Sequence, residues 1–491
     1  MKLIFKTLIP VLLVMFTSCE EKLDEINVNP DSFSSAPDAQ VLTSAIAYYA
    51  FVQDVDLNAN FFLFAQYYTW GPGVAIGNEE RFVQTPDDGD PYWGRSYAAV
   101  LKDLNYLTKS ESPVYRGVAK ILSAHVYQGL VDHFGDIPYS QALKGENGTL
   151  TPAYDAAEDV YAALIVLIDE ALADFDVATT LGEDDVISAN ADAGANDLLY
   201  AGDLDAWTKF ANSLKLRILM RQSETNAQGA AVIALIASGA QFVETEADMP
   251  QILSSTEIGN QNPMYARFEA GVKNFYVASN ATLNVLNGLA DPRLGALYNV
   301  ATDGPNIGQY HGIDQGTIDD EPFTNTVAYY AQASSIGYAI DNPVILMSHW
   351  EMWFLRAEAD ARYGTADDEV VAFGNAVQAH FDYVGAAGGA AYITSLSFDA
   401  ADPLDSKIDN IAVQKWISMN GVQEDEGWIE TRRFDRTASR LFTEGIFQEP
   451  PLSQLAAGEF PSIWLVPGSE RDLNPNAPAQ RVITDLVFWD N

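Results

Sequence analysis

A helical spacing of apolar residues returns along most of this chain and constrains its fold more than any other feature. In 115–134, Val118, Ile121, Leu122, Val126 and Leu130 share one face of a period of about 3.6 residues, and Gly135 ends the run. Residues 155–175 repeat the pattern with Val160, Leu164, Leu167, Ile168, Leu172 and Phe175. In 204–221 the face is Trp207, Phe210, Leu214 and Ile218. In 346–363 it is Leu346, Trp350, Trp353, Ala357 and Ala361, closed by Gly364. Convincing strands are few. Helices that carry small Ala beside Trp and large aliphatics suit close pairing, and such pairs bury their remaining faces by stacking into a solenoid. The reading is mostly all-α. No clean repeat of about 34 residues is present, so any tetratricopeptide character is degenerate.

Composition permits a large core and narrows the partners. Of 491 residues, 48% are hydrophobic and 11% aromatic, unlike a disordered chain. Lys and Arg number 27 against 68 Asp and Glu, a formal net charge of −41. Such a surface repels phosphate backbones, which excludes nucleic acid as a partner. It also disfavours anionic substrates held mainly by charge. Solubility in a salty or calcium-rich medium is the simplest use of this charge.

The single cysteine, Cys19, follows the apolar run Leu8–Phe16, with Lys2 and Lys6 ahead of it and Thr17-Ser18 before it. That is the layout of a secretory signal, and the run is shorter than the roughly 20 residues needed to span a bilayer. A thiol at this boundary, with no second Cys to pair with, reads as the lipidation site of a bacterial lipoprotein. An ordinary signal peptide that happens to contain a Cys is the other reading. The expected organisation is a signal peptide at 1–18, a lipid tether and linker at 19–40, and one helical domain over 41–491. Removing Lys2 and Lys6 with the signal takes the charge from −41 to −43. The acidic Glu20-Glu21-Lys22-Leu23-Asp24-Glu25 suits a solvated tether. It is also similar to the tether that sends Bacteroidetes lipoproteins to the outer face of the outer membrane.

Two stretches depart from the helical background. Residues 251–345 are rich in Gly, Asn, Asp, Pro and Tyr and form a variable, loop-rich segment. Residues 438–491 carry Pro450, Pro451, Pro461, Pro467, Pro475 and Pro478, which predicts a segment wrapped over the surface. Irregular segments this much longer than the ordinary 4 to 6 residues, roughly, are usually functional.

Four blocks carry a resemblance. They are His125–Tyr139 (through Asp132-His133-Phe134-Gly135-Asp136); Asp197–Asp203, continued by Trp207 and Ala211–Arg217; Glu351–Ala359; and Gln414–Ile417 with Glu426-Gly427-Trp428 and Arg432-Arg433. In this order they resemble the SusD/RagB family of nutrient-binding outer-membrane lipoproteins. The resemblance implies a right-handed α-superhelix of degenerate tetratricopeptide-type helix pairs with a variable excursion. It implies a lipid-anchored protein at the cell surface, its only membrane attachment the anchor, acting as a lid on a SusC-like TonB-dependent transporter. Family members capture glycans or, in some branches, peptides. The blocks themselves would build scaffold, with Asp203, Arg217 and Arg432 holding helix ends and buried ion pairs.

Ligand contacts must then come from other residues. Sugars offer C–H faces that stack on rings and hydroxyls that pair with amide, carboxylate or guanidinium groups. One candidate region holds Tyr67, Tyr68, Trp70, Arg81 and Trp93 around Gly71-Pro72-Gly73; the other holds Asn274, Phe275, Tyr276 and Tyr310. Trp70 beside the turn is the leading stacking ring, with a core Trp ending a helix as its plain alternative. Trp93 opens a helical run over 93–109 and suits packing as well as contact.

Enzyme signatures are missing. There is no phosphate-binding Gly-rich Lys loop, nucleophile elbow or His-Glu-x-x-His site. His125 and His133, eight residues apart on one helix, diverge by about 80° and suit no shared metal. Glycosidases need two carboxylates about 5 to 10 Å apart, which counting acids cannot identify. Glu351 and Glu358 share a helix face but belong to a scaffold block. No catalytic residue, metal ligand or cofactor is expected. Asp87-Asp88-Gly89-Asp90 could ligate structural calcium but has no EF-hand spacing and also reads as a solvated turn. A structural surface lipoprotein without a ligand site, or a helical glycoside hydrolase, are the alternatives from other classes.

Overall fold

A computed structural model describes residues 36–71, 77–182, 196–267, 276–317, 338–436 and 439–490. The signal peptide, the tether up to residue 35 and the lipidation site Cys19 lie outside the described residues.

The helical reading holds. α1 (Asp38–Phe51) runs through a π-helical turn (Val52–Asn58) into α2 (Ala59–Phe64), and β1 (Tyr68–Trp70) follows. The expected run over 93–109 begins three residues earlier. α3 (Asp90–Arg95) has Pro91 in its first turn, where a missing N–H costs nothing, and continues through a π-helical turn into α4 (Lys102–Leu107). α5 (Pro113–Phe134) ends at Gly135, whose φ of 77° suits a residue without Cβ. α6 (Ala157–Leu181) follows. α7 (Leu204–Arg221) is capped by Asp203, whose carboxylate accepts from the N–H groups of Asp205 and Ala206 at 2.9 and 3.1 Å.

α8 (Gly229–Ala237) leads into the loop-rich stretch, which carries β2 (Gln251–Ile252), α9 (Pro263–Arg267), β3 (Tyr276–Ala278), α10 (Asn280–Gly288), α11 (Leu294–Leu297) and β4 (Val344–Ile345). Helical order returns with α12 (His349–Tyr363), α13 (Glu369–Val384), α14 (Gly389–Leu396), α15 (Leu404–Met419) and α16 (Glu424–Phe434), and α17 (Gly468–Leu473) sits in the C-terminal wrap. α5 packs along α6, α7 along α8, α12 along α13 and α15 along α16; α6 then meets α7, α8 meets α12, and α12 meets α15. These stacked hairpins form the tetratricopeptide-type solenoid. Of two short antiparallel ribbons, β1–β3 ties the loop-rich stretch to the N-terminal segment, and β2–β4 joins the two ends of that stretch. Buried side chains from Val41 to Trp489 join one large core cluster.

The C-terminal segment wraps as its prolines predict. Trp464 donates its N–H to the His133 carbonyl at 2.7 Å, and the Trp489 indole donates to Asp132 at 2.8 Å. Both contacts close the end of α5.

Charged residues knit the hairpins from inside. Arg433 on α16 donates to Glu358 on α12 at 2.7 Å and to Glu430 at 2.6 Å. Lys415 on α15 reaches Glu430 at 2.9 Å, and Arg221 on α7 pairs with Glu430 and with Glu426 at 2.6 Å. Arg217 lies 3.5 Å from Glu351. Burial opposes the Glu430 charge most strongly, yet Arg433, Lys415 and Arg221 together hold its carboxyl well below the usual range. Glu351 and Glu358 are therefore scaffold. Arg432 differs from the ion-paired role expected for it: it lies 3.9 Å from the Trp428 ring and 4.7 Å from the Trp489 ring. It donates to the carbonyl oxygens of Asp132, at 2.9 Å, and Ser462.

Replacing Arg433 by Met leaves Glu358 and Glu430 buried with fewer cations. It should cost about 3–5 kcal/mol, read as a lowered midpoint in urea denaturation. A loss within the range of surface substitutions, ~0.5 kcal/mol, would show that the network is not structural.

Candidate functional site: a Trp–Tyr face on a two-stranded ribbon

The ribbon β1–β3 pairs Trp70 with Tyr276, Thr69 with Val277 and Tyr68 with Ala278. Cross-strand partners lie close enough for their rings to meet. Trp70 and Tyr276 accordingly lie 4.7 Å apart at 45°, and Tyr276 sets its ring edgewise on Phe62 at 5.0 Å. Trp70 is half-buried while Tyr276 is 9% exposed, so the indole is the more accessible ring of the pair.

The short turn after Trp70 supplies polar groups. Glu80 turns inward, accepting the Trp70 N–H at 3.2 Å and the Gln315 amide at 2.6 Å. Its neighbours Glu79 and Arg81, and Gln84 just beyond, carry polar atoms (Oε2, Nε, and both ends of the amide) that have no hydrogen-bond partner among the described residues. Buried polar atoms are almost always satisfied, so these exceptions, close in sequence to Trp70, are groups that a bound ligand would satisfy. Of these, sequence reasoning singled out only Arg81. Glu79 and Gln84 were missed, and their position on the turn between two aromatic stretches was the available signal.

The other candidates divide. Tyr67, Tyr68 and Trp93 were expected among the ligand contacts, and the structure corrects this by making them core. Tyr67 donates to the Trp416 carbonyl at 2.6 Å and stacks on that indole. Tyr68 donates to Asn420 at 3.1 Å, and Trp93 meets Phe134 edge-on at 5.0 Å. Each fills the layer between the N-terminal helices and the later hairpins, where a ring is worth more buried than exposed. A Cβ at Gly427 would meet the Tyr67 hydroxyl, which explains a glycine inside α16. Arg81 is half-buried, and its carbonyl accepts the Gln454 N–H of the C-terminal wrap at 2.8 Å. Tyr310 is 38% exposed with its hydroxyl over Gly295, and no described ring contact joins it to Trp70 or Tyr276. Asn274 and Phe275 lie outside the described residues. In the aspartate turn, Asp88 accepts the Thr85 N–H at 2.7 Å and Asp90 accepts the Ser469 hydroxyl at 2.8 Å. Among the described residues no group of three or more His, Cys, Asp or Glu could hold a metal ion.

A cleft of about 1290 Å³, not foreseen in the sequence, opens elsewhere beside α1, lined in part by Phe51, Tyr200, Leu253, Asn260 and Arg267. No described helix is long and apolar enough to cross a membrane.

Fold and ribbon together describe a helical-repeat scaffold with a Trp–Tyr pair on an inserted ribbon. A SusD-like family model, described as starch-binding associating with outer membrane, matches residues 30–439. The protein belongs to that SusD-like family. No curated protein matches the sequence. Among solved structures, the chain is similar to a SusD-like protein from Bacteroides thetaiotaomicron (21% identity, TM-score 0.76, covering 92% of this chain and 99% of that one). It is similar also to a chitin-binding SusD homologue from Flavobacterium johnsoniae (20% identity, TM-score 0.74, covering 92% and 98%). A SusD homologue from Bacteroides fragilis gives 21% identity and a TM-score of 0.71, covering 93% and 99%. At these identities the likeness establishes the fold.

Three buried carboxyls have no cation beside them among the described residues. Burial pushes Glu80 and Glu424 up to about 8 and Asp54 up to about 7, against partial relief from hydrogen bonds such as those of Tyr338 to Glu424 and Asn58 to Asp54. Each binds its proton more tightly folded than unfolded, where carboxyls titrate near ~4. Their contribution to stability is full below about pH 4 and is lost as pH rises toward about 8. The thermal midpoint should therefore fall between about pH 6 and pH 9, and Glu424→Gln should flatten that decline in scanning calorimetry. An unchanged slope in the variant would remove Glu424 from the account.

Proposed function

We propose that this protein is a non-catalytic surface lipoprotein that captures a nutrient glycan and passes it to a SusC-like TonB-dependent transporter in the outer membrane. The observation that carries the reading is the half-buried Trp70 indole held against Tyr276, with unpartnered polar atoms of Glu79, Arg81 and Gln84 in the segment that follows it. Rings stack on sugar C–H faces, while planar carboxylate, amide and guanidinium groups match vicinal hydroxyls. Family membership and the chitin-binding neighbour support a polysaccharide over other ligands. Lipidation at Cys19 supplies the membrane attachment, and no cofactor takes part.

Titration of the detergent-solubilised full chain with a polysaccharide panel, followed by intrinsic Trp fluorescence, tests this. One glycan should bind saturably and remain uncleaved. Trp70→Ala should weaken it by about thirtyfold, ~2 kcal/mol. Stacking and neutral hydrogen bonds are little screened, so affinity should change less than about twofold from 50 to 500 mM salt. Cleavage of the glycan, or a response only to peptides, would overturn the reading.

A further inference from the structure

A second aromatic pocket lies beyond the turn that follows Trp70. It encloses about 360 Å³ between α16 and the C-terminal wrap. Phe82, Phe447 and Phe460 form part of its wall, and Trp428, Arg432 and Asp435 line it as well. The Phe82 and Phe460 rings lie 5.6 Å apart, and Phe447 and Phe460 5.9 Å apart. Phe447 and Phe460 are half-buried, which leaves ring surface toward the cavity.

Arg432 makes this pocket unusual. It is only 7% exposed, its Nε has no hydrogen-bond partner, and its two Nη groups donate to backbone carbonyls. Among the described residues, the other buried arginines (Arg217, Arg221, Arg293, Arg433 and Arg436) each have a carboxylate within 4.0 Å, and Arg432 has none. A guanidinium so deeply set ordinarily has every N–H used, because the missing bond costs the full desolvation of the donor. Arg440 and Asp435, 3.7 Å apart, add one charge of each sign to the lining, and Asp490 adds a second carboxylate. The pocket therefore offers planar donors and acceptors of both signs between aromatic faces, a combination that selects a neutral polyol over an ion. Its volume sits at the low end of small-ligand pockets, about 300–1,000 Å³, and suits the end of a sugar chain.

We propose that this pocket is a second carbohydrate site, separate from the Trp70 face, that takes a single neutral pyranose against the Phe447 and Phe460 rings and beside the Arg432 guanidinium. The site does not depend on the Trp70 reading. Neither does its test.

The test titrates the detergent-solubilised full chain with methyl glycosides of glucose, N-acetylglucosamine, galactose, mannose and xylose, by calorimetry. At least one should bind saturably. Phe460→Ala, at a half-buried rim position that folding tolerates, should weaken it by about tenfold or more. Arg432→Gln should abolish it, and Trp70→Ala should leave it unchanged. Absence of saturable binding by every glycoside up to ~100 mM, or binding indifferent to Phe460→Ala, overturns the proposal. Loss of polysaccharide binding in Trp70→Ala with monosaccharide binding retained would assign the two sites separate roles. Sensitivity of the monosaccharide to Trp70→Ala would instead merge them and overturn it.

Discussion

The charge cluster around Glu430 is what the stacked hairpins depend on. Glu430 collects Arg433, Lys415 and Arg221, and these in turn reach Glu358 and Glu426, so that one buried network crosses α7, α12, α15 and α16. A helical solenoid packed only by apolar faces could slide, because Ala, Leu and Ile ridges tolerate several registers. Ion pairs with fixed hydrogen-bond geometry do not tolerate this. Burial makes each charge costly unless its partners are in place, so the network acts more as a register key than as a source of net stability. The Arg433 fork, bonded to Glu358 through both Nη groups and to Glu430 as well, is the least replaceable part.

That rigid frame carries the loop-rich stretch. Residues 251–345 have few helices of their own; the ribbon β1–β3 ties them to the N-terminal segment, and β2–β4 joins their two ends. The first ribbon sets Trp70 opposite Tyr276. Tyr67 and Tyr68, its immediate neighbours in sequence, run inward and anchor it to the Trp416 carbonyl and Asn420. The half-buried Trp70 is thus mounted on buried rings, which leaves it little conformational freedom. The excess of acidic over basic residues stands apart from this. Most of it is surface charge that keeps the chain soluble, and a stacking face does not need it.

The family was legible because its blocks are scaffold. Asp203 caps α7, Arg217 pairs with Glu351, and Gly135 ends α5 with a positive φ; each is a local requirement that leaves a fixed residue type at a fixed spacing. The site was legible only in part, and for a physical reason. Tyr67, Tyr68, Trp70 and Trp93 are the same kind of residue in the same kind of sequence, and only Trp70 remains accessible. What separates them is which neighbours the distant hairpins bring over each ring: Trp416 comes from α15, some 350 positions away, to cover Tyr67, with a hydrogen bond spanning 349 positions. Trp93 is covered from nearer by, by Phe134 at the end of α5.

The sequence by itself determined the helices, their caps and stops, the loop-rich interruption and the family, because periodicity, capping and turn chemistry act over a few residues. The tertiary structure alone decided which aromatic rings are walls and which are faces. It alone left Arg432 between two indoles with no carboxylate of the described residues within 4.0 Å, while its neighbour Arg433 was given two. Adjacent arginines on one helix look alike as sequence, but successive residues of a helix point about 100° apart, and what each meets there is set by chain segments folded in from elsewhere.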